Sequence, residues 1–242
     1  MGLKNLIENL EDAVRYEMDE EENASEVTPE TLEQVRRAFK DAPRRPAVKG
    51  DTLQRVTEEV AACTLCDLHT WRTKTVPGQG AANAEIFFIG EGPGADEDRQ
   101  GIAFIGRAGQ LLTKMIQAMG LTRDEVFIGN IVKCRPPSNR TPHPDEMHAC
   151  MPYLKRQIAL IKPKVIVALG STAAKGLLDV STGITKLRGN WRSFEGIDLM
   201  PTFHPAYLLR NPSAKHEAWA DLKAVLKRLG RTPPPVRKRK GR

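Results

Sequence analysis

Long apolar runs are absent from this sequence of 242 residues. No stretch approaches the roughly 18 consecutive apolar residues that a membrane-spanning helix needs. The segment from Met1 to Leu6 has no signal-peptide pattern, and Leu6 stands where the myristoylation consensus requires Ser or Thr. These absences argue against a membrane-spanning or lipid-anchored protein, and we expect a cytoplasmic protein with no membrane partner.

Cysteine is scarce, with four residues in the whole chain. Without an export signal these residues are not expected to form a disulfide framework, because cytosolic thiols are kept reduced. They are therefore metal ligands, nucleophiles or buried filler. The sequence also lacks internal repeats and a Walker A loop, since no Gly-Lys-Ser/Thr follows Gly94.

Charge is unevenly distributed along the chain. Residues 1–50 contain 12 acidic and 8 basic residues, whereas residues 51–242 contain 29 basic and 18 acidic residues, a net charge of +11. An excess of this sign is typical of nucleic-acid binding proteins. A merely soluble basic surface explains it equally well, so charge alone leaves both interpretations open.

The chain divides into an extension, one domain and a tail. Residues 1–50 are predicted to form an acidic, partly helical N-terminal extension that ends in a proline-containing linker. Residues 51–230 hold the apolar segments of a single domain. Residues 231–242 form a basic tail that we expect to be disordered, because it has no apolar face.

Within the domain, short continuous apolar segments alternate with helical patterns. Buried strands are predicted at residues 85–90, 126–132, 164–169 and 198–203, and helices at residues 52–62, 107–119, 144–161, 171–178 and 214–229. This alternation predicts an α/β fold, a three-layer α/β/α sandwich with a central, mainly parallel four-stranded sheet.

Ligands of such sheets bind at the carboxyl ends of the strands. Three of the predicted strands run directly into unusual segments at that edge, residues 90–94 (Gly-Glu-Gly-Pro-Gly), 130–134 and 204–206. The glycines of the first segment let backbone N–H groups approach a ligand closely, although a tight turn with an incidental glutamate is the default interpretation. Together the three segments indicate a candidate site.

The four cysteines have the spacing of metal ligands. Cys63 and Cys66 form a Cys-x-x-Cys pair, and fifteen residues separate Cys134 from Cys150. Four thiolates complete the coordination of zinc or of a [4Fe-4S] cluster. A zinc ribbon normally has two Cys-x-x-Cys pairs, so the wide second pair favours iron–sulfur, while zinc and filler cysteines stay open.

Three segments resemble, in order, the motifs of family 4 uracil-DNA glycosylases, the iron–sulfur type. They are residues 90–109 (Gly90-Glu91-Gly92 to Gly109), residues 130–142 (from Asn130) and residues 204–210 (His-Pro-Ala-Tyr-Leu-Leu-Arg). The cysteine spacing also matches that family's cluster ligands. The resemblance covers about residues 52–228 and neither tail. It implies a monofunctional DNA glycosylase that flips uracil out of DNA and hydrolyses its N-glycosidic bond, with a structural cluster.

The resemblance also implies a set of uracil-binding residues. They are Gly90, Glu91, Gly92, Glu97, Phe104, Asn130 and His204. Phe104 is expected to stack on the base, Asn130 to donate to uracil O4 and accept from N3–H, and Glu97 to exclude the methyl group of thymine. From the residues alone, Phe104 is better interpreted as a core aromatic, and Asn130 equally well as an amide satisfied by loop backbone.

Glu91 and His204 are the candidate catalytic residues. His204 follows a predicted strand, where it can donate to uracil O2 and stabilise the departing base; a surface histidine is the other interpretation. The better-known family 1 enzymes carry an aspartate immediately after the residue corresponding to Glu91, and this chain has Gly92 there. Either Glu91 orients the attacking water, which we favour, or an oxocarbenium-like sugar needs only a weakly activated nucleophile.

DNA contacts complete what the resemblance implies. They are assigned to Arg107, Pro205, Ala206, Tyr207, Leu208 and Arg210. Leu208 is the expected minor-groove wedge. The expected partner is uracil-containing DNA, single- or double-stranded, bound by a monomer. The rival functions are a non-catalytic, metal-stabilised nucleic-acid binding protein and another N-glycosidase or nucleotide hydrolase on the same fold.

Overall fold

The computed structural model describes residues 50–235. The predicted N-terminal extension up to residue 49 and the basic tail from residue 236 lie outside the described residues. Residues 50–178 and 182–235 belong to one compact unit. The first residues of the predicted tail contact this unit, because Arg231 forms an ion pair with Glu85 and Pro234 lies beside Gly120.

A mixed sheet forms the centre of this unit. Its strands are β1 (Gln79–Gly80), β2 (Ile86–Gly90), β3 (Phe127–Asn130), β4 (Val165–Leu169), β5 (Arg192–Phe194) and β6 (Ile197–Thr202). They lie side by side in the order β1-β3-β2-β4-β6-β5. The inner strands β3, β2, β4 and β6 pair in parallel, whereas β1 and β5 pair antiparallel at the two edges.

The prediction of a four-stranded sheet is therefore wrong in its strand number. The predicted strands are the inner four, and β1 and β5 were missed. β1 has two residues and β5 has three, of which Arg192 and Ser193 are exposed. Segments this short bury too little to show the continuous apolar pattern by which the inner strands were recognised.

Helices connect the strands of the described part of the chain. They are α1 (Leu53–Ala61), α2 (Leu68–Trp71), α3 (Ala95–Gln100), α4 (Arg107–Ala118), α5 (Pro144–Ile161), α6 (Ser171–Leu178), α7 (Ile184–Leu187), α8 (Pro205–Arg210) and α9 (Lys215–Arg228). The five predicted helices are confirmed as α1, α4, α5, α6 and α9. The other four are single-turn or nearly single-turn helices, too short for a helical period to be visible. No helix among residues 50–235 is long and apolar enough to cross a membrane.

The main core lies on one face of the sheet. Phe88, Val167 and Met200 from the inner strands pack with Leu112 of α4 and Val225 of α9. The two segments that follow β2 and β3 stay paired beyond the strand ends, because Ile131 N donates to Gly90 O at 2.9 Å. This pairing brings the segments after the two strands together at the carboxyl edge of the sheet.

Candidate active site and cysteine cavity

The carboxyl edge of the sheet brings together four of the predicted site residues. Gly90 ends β2, Asn130 ends β3 and His204 follows β6. The rings of Phe104 and His204 are 5.7 Å apart between centroids. A Cβ atom on Gly90 would lie 2.5 Å from Phe104 Cζ and 2.6 Å from Asn130 Oδ1. Both side chains therefore lie directly against Gly90, and only glycine leaves room for them.

Asn130 carries an unsatisfied buried oxygen. Among residues 50–235, its Oδ1 is the buried side-chain polar atom that has no hydrogen-bond partner. An orphaned acceptor of this kind typically costs about 1–3 kcal/mol unless a ligand pairs with it. The alternative that loop backbone satisfies Asn130 is thus excluded for Oδ1. The atom is free to accept a hydrogen bond from a bound molecule.

Phe104 has a constrained backbone. Its φ angle is +53°, a left-handed conformation that is uncommon for an aromatic residue. Side chains hold this conformation on both sides: Arg123 donates to the carbonyl oxygens of Phe104 (2.9 Å) and Ala103 (2.7 Å), and Gln79 bonds reciprocally with the backbone of Ala103. The ring is buried, as a core aromatic would be, but it faces Gly90 and His204.

Glu97 holds the loop that follows Phe104. Its Oε1 accepts hydrogen bonds from the backbone N–H groups of Ile105 and Gly106, each at 2.9 Å. Gly106 is the N-cap of α4, so the carboxylate also complements the positive end of that helix. Glu97 is thus anchored beside the site. Its exclusion of a methyl group stays a prediction.

His204 is held as a neutral hydrogen-bond donor. Burial lowers the pKa of His204 to about 4, and Arg210 adds to the shift, so the imidazole is uncharged at neutral pH. Its Nδ1 accepts from Ala206 N at 3.1 Å, as an N-cap of α8. Nδ1 therefore carries no proton, and the proton of the ring lies on Nε2.

Glu91 lies just beyond β2. Burial raises the pKa of its carboxyl group, and a hydrogen bond from Thr172 Oγ1 to Oε2 at 2.5 Å partly opposes the shift. The carboxylate therefore lies in a partly desolvated position, which strengthens its hold on a polar ligand such as water. A Cβ atom on Gly92 would lie 2.8 Å from Val132 Cγ2, so Val132 occupies the space of a larger residue there.

The structure corrects the predicted minor-groove wedge. Leu208 is 1% exposed and packs with Phe203, Ala214 and Ala218 in a small core cluster, so its side chain is not available to DNA. Tyr207 and Leu209, which flank Leu208 on α8, are 38% and 37% exposed. One residue of register on a short helix decides which side chain is buried, and the sequence pattern did not resolve it.

The other residues assigned to DNA are divided by exposure. Arg107, at the start of α4, and Arg210, at the end of α8, are exposed. Pro205 is buried and Ala206 is half-buried, so these two shape the turn before α8 more than they offer contact area.

Several residues that support the site were not predicted from the sequence. Gly170 follows β4 with a φ angle of +89°, and a Cβ atom on it would lie 2.8 Å from His204 Cβ. Thr172 bonds Glu91, and Arg123 and Gln79 hold the backbone before Phe104. The fourth strand end, Gly170-Ser171-Thr172, could have been found by the rule that identified the other three. Arg123 and Gln79 carry no comparable signal.

The four cysteines surround one cavity. Cys63, Cys66, Cys134 and Cys150 all line it, and none forms a disulfide. Arg72 donates to Cys134 Sγ at 3.1 Å, and the backbone N–H of Lys133 donates to Cys150 Sγ at 3.3 Å. Burial raises the pKa of Cys150 to about 12 and also raises those of Cys134 and Cys66, so the thiolate forms need a nearby cation.

The arrangement of the thiols distinguishes the possible occupants. Within the described ranges, no three His, Cys, Asp or Glu side chains converge as one metal ion requires. A tetrahedral zinc site places its sulfurs about 2.3 Å from a single point. An iron–sulfur cluster instead takes each cysteine at a different iron, so its ligands surround a larger space. The cavity supplies the four thiols that such a cluster takes as ligands.

Fold and site together define an α/β protein that holds an aromatic ring, an amide and a neutral imidazole at one edge of its sheet, with a cysteine centre connected through residues 130–134. The sequence profile of the Uracil DNA glycosylase superfamily matches residues 77–223. That match covers more than half of the chain.

Curated proteins include close relatives. The type-4 uracil-DNA glycosylase of Sulfurisphaera tokodaii is 47% identical over 184 residues, which are 72% of this chain and 84% of that protein. That of Thermotoga maritima is 50% identical over 169 residues, 68% of this chain and 87% of that protein. That of Pyrobaculum aerophilum is 42% identical over 178 residues, 70% of this chain and 91% of that protein. The chain therefore belongs to the uracil DNA glycosylase superfamily and, within it, to the type-4 family.

Proposed function

We propose that this protein is a uracil-DNA glycosylase that removes uracil from DNA in base excision repair. The observation that carries the proposal is the buried, unpaired Oδ1 of Asn130 beside the ring of Phe104. Uracil N3–H supplies the missing donor, and the Asn130 amide group donates to O4. Cytosine presents the opposite donor and acceptor pattern at both positions, so the same amide rejects it.

The leaving base is stabilised by His204. As the bond between sugar C1′ and uracil N1 breaks, its electron pair moves onto the base and negative charge builds on O2. The Nε2–H of the neutral imidazole donates to O2, and its fixed position avoids reorganisation during the reaction. Phe104 holds the flipped base by stacking on its face.

Water completes the reaction at C1′. It forms the new C1′–O bond, and the proton that it gives up passes through solvent to the departing uracil anion, which leaves an abasic sugar and free uracil. Glu91, with Thr172 on one oxygen, orients this water through the other oxygen. Gly92 contributes its backbone to the turn that carries Glu91. Glu97 excludes the methyl group of thymine and also anchors the loop after Phe104.

DNA binds across the surface around α8 and the start of α4. Arg107 and Arg210 contact phosphates, and the exposed apolar side chains of Tyr207 and Leu209 fill the gap left by the flipped nucleotide. Pro205 and Ala206 set the backbone before them. The protein accepts single- or double-stranded uracil-containing DNA, and acts as a monomer in the cytoplasm.

The cysteine cavity holds a [4Fe-4S] cluster on Cys63, Cys66, Cys134 and Cys150. When bound, the cluster supplies structural cross-linking and no chemistry at the base. The chain's own residues already support this function, since Arg156 pairs with Asp51 and Glu59 and so ties α1 to α5 on either side of the cavity. Arg72 donates to the backbone oxygens of Ala61 and Cys63 and so fixes the chain where α1 ends.

The domain is a three-layer α/β/α sandwich. Helices α4 and α9 cover the face of the sheet that carries Phe88 and Val167. Phe87 and Ile166 point to the opposite face and are equally buried, which requires a second covering layer. Helix α6 contacts β2 and β4 and belongs to it.

The test is incubation of the purified protein with matched oligonucleotides that contain uracil, cytosine or thymine, followed by alkali. Strand cleavage confined to the uracil position supports the proposal. DNA binding without cleavage would instead identify a non-catalytic nucleic-acid binding protein. Iron analysis of the same preparation should give about four irons per chain and broad visible absorption, whereas one zinc in a colourless, active protein would contradict the cluster.

A further inference from the structure

Lys133 is a buried cation between the cysteine cavity and the base site. The residue is 1% exposed. Its Nζ donates to the backbone oxygen of Asn130 at 2.8 Å and to Oε1 of Gln157 at 2.7 Å. Its backbone N–H donates to Cys150 Sγ at 3.3 Å. One residue thus contacts both a proposed cluster ligand and the residue proposed to read the base.

Packing alone does not account for a lysine at this position. Burying an ammonium group without a compensating charge is costly, and methionine would fill similar space without that cost. Among the ion pairs of residues 50–235, none includes Lys133, so no carboxylate in this part of the chain compensates it. Cys150, whose thiolate form would supply a negative charge, accepts a hydrogen bond from the backbone N–H of the same residue.

Its hydrogen bonds fix the peptide that carries Asn130. Gln157 orients Nζ from the other side, and is itself held because its Nε2 donates to Pro77 O at 2.8 Å. The Lys133 carbonyl oxygen accepts from Val76 N at 2.8 Å. The donor that reaches Asn130 is therefore rigid. The hydrogen bonds of Lys133 thus connect Cys150 to the end of β3 through one residue.

We propose that Lys133 is a positioning residue that couples the cysteine centre to the base reader Asn130, so that cluster retention and uracil binding strengthen each other. The inference rests on the proposed function. Coupling between two binding events is reciprocal, so each can be measured through the other.

The first readout is binding. The probe is an oligonucleotide with a sugar-fluorinated deoxyuridine that resists hydrolysis, compared with the same oligonucleotide containing thymidine. Lys133→Met should reduce the preference for the uracil probe by about tenfold or more, the usual loss for a hydrogen bond to a charged group. Affinity for the thymidine probe should stay unchanged, because DNA backbone contacts are not affected.

The second readout does not depend on enzymatic activity. Visible absorption is followed while a chelator and an oxidant remove the cluster from the intact protein. In the parent protein the uracil probe should slow this loss about fivefold or more, at the low end of usual coupling. In Lys133→Met the probe should have no effect on the rate.

A matched control separates coupling from loss of stability. Arg156 is the neighbour of Gln157 on α5, is also buried, and pairs with Asp51 and Glu59 without contacting Asn130. Arg156→Met should lower the melting temperature and speed the loss of the cluster, yet keep the uracil preference and the fold by which the probe slows that loss. Should Lys133→Met fail to fold, Lys133→Gln retains a donor without the charge and is expected to lose the coupling as well.

Different results would overturn the proposed function and the coupling through Lys133. If the parent protein binds both probes equally and leaves uracil in place, the proposed function fails, and the coupling fails with it. If the parent prefers uracil and Lys133→Met keeps both the preference and the protection, only the coupling is wrong. Loss of the cluster from both Lys133 variants with the uracil preference kept also overturns it, because Lys133 would then act on the cluster alone.

Discussion

The base site and the cysteine cavity are completed in different ways. At the base site, protein groups hold the polar backbone: Arg123 and Gln79 hold it before Phe104, and Glu97 holds it after. The buried Oδ1 of Asn130 is left unpaired there. In the cavity, the four cysteine thiols line a common space, and burial raises the pKa values of Cys66, Cys134 and Cys150. In the proposed function, the first site is preorganised for a ligand that binds reversibly, whereas the second is completed by a permanently bound cofactor.

The largest effect expected within the base site is at His204. His204→Ser keeps an oxygen that can cap α8 but removes the Nε2–H donor. Removing one such donor typically costs about a hundredfold to a thousandfold in rate. Single-turnover excision from a uracil oligonucleotide measures it, and the visible spectrum should be unchanged because the cavity is not altered. A rate near that of the parent would show that the leaving base is stabilised elsewhere.

Asn130→Asp should have the next largest effect. As a carboxylate it keeps the shape of Asn130 but has no donor for O4, and a missing buried partner costs about 1–3 kcal/mol, or roughly tenfold to a hundredfold in uracil excision. The same carboxylate can accept from the amino group of cytosine, so weak cytosine excision should appear. The measurement is single-turnover cleavage of matched uracil and cytosine oligonucleotides. A well-folded variant that removes uracil at the parent rate would contradict the assignment of Asn130.

Gly90→Ala tests how closely the site is packed. The added Cβ would lie 2.5 Å from Phe104 Cζ and 2.6 Å from Asn130 Oδ1, so ring and amide must move apart. Misplaced binding groups should lower uracil excision by about tenfold, below the hundredfold typical of a full 1 Å displacement. Gly183→Ala is the matched control, because it meets no atom within 4 Å. Equal activity of the two variants would show that the site adapts.

The two regions also differ in how far the sequence revealed them. The inner strands and the longer helices were predictable because continuous burial and helical period are local properties of the chain. The edge strands were not, since β1 and β5 are too short to show a pattern. Leu208 shows the same limit on α8, where three adjacent apolar or aromatic residues left the buried one undetermined.

The residues of the site also differ in whether local sequence could predict them. Those at strand ends, such as Asn130 and His204, were predictable because the carboxyl edge of a parallel sheet collects ligand-binding groups. Arg123 and Lys133 were not identified, because their function depends on which backbone oxygens they reach, 19 and 3 residues away along the chain. Such contacts exist only after folding, and no residue type or spacing indicates them.

The smallest expected effect concerns stability and pH at the base site. The pKa of His204 is about 4 in the folded protein, below the ordinary value of about 6.5 expected in the unfolded chain. Between these values the unfolded chain binds a proton that the folded protein does not, so acid favours unfolding. The contribution of neutral His204 to the unfolding free energy is therefore complete above about pH 6.5 and falls as the pH drops towards 4.

His204→Ser should remove this dependence, so that the difference in unfolding free energy between parent and variant shrinks from pH 7 to pH 5. Denaturant titrations at both pH values measure this difference. Carboxylates also titrate in this range, and the hydrogen bond with Arg140 lowers the pKa of Glu146, but these groups affect parent and variant alike. A constant difference would mean that His204 is not held neutral, and the donor assigned to uracil O2 would have to be an imidazolium instead.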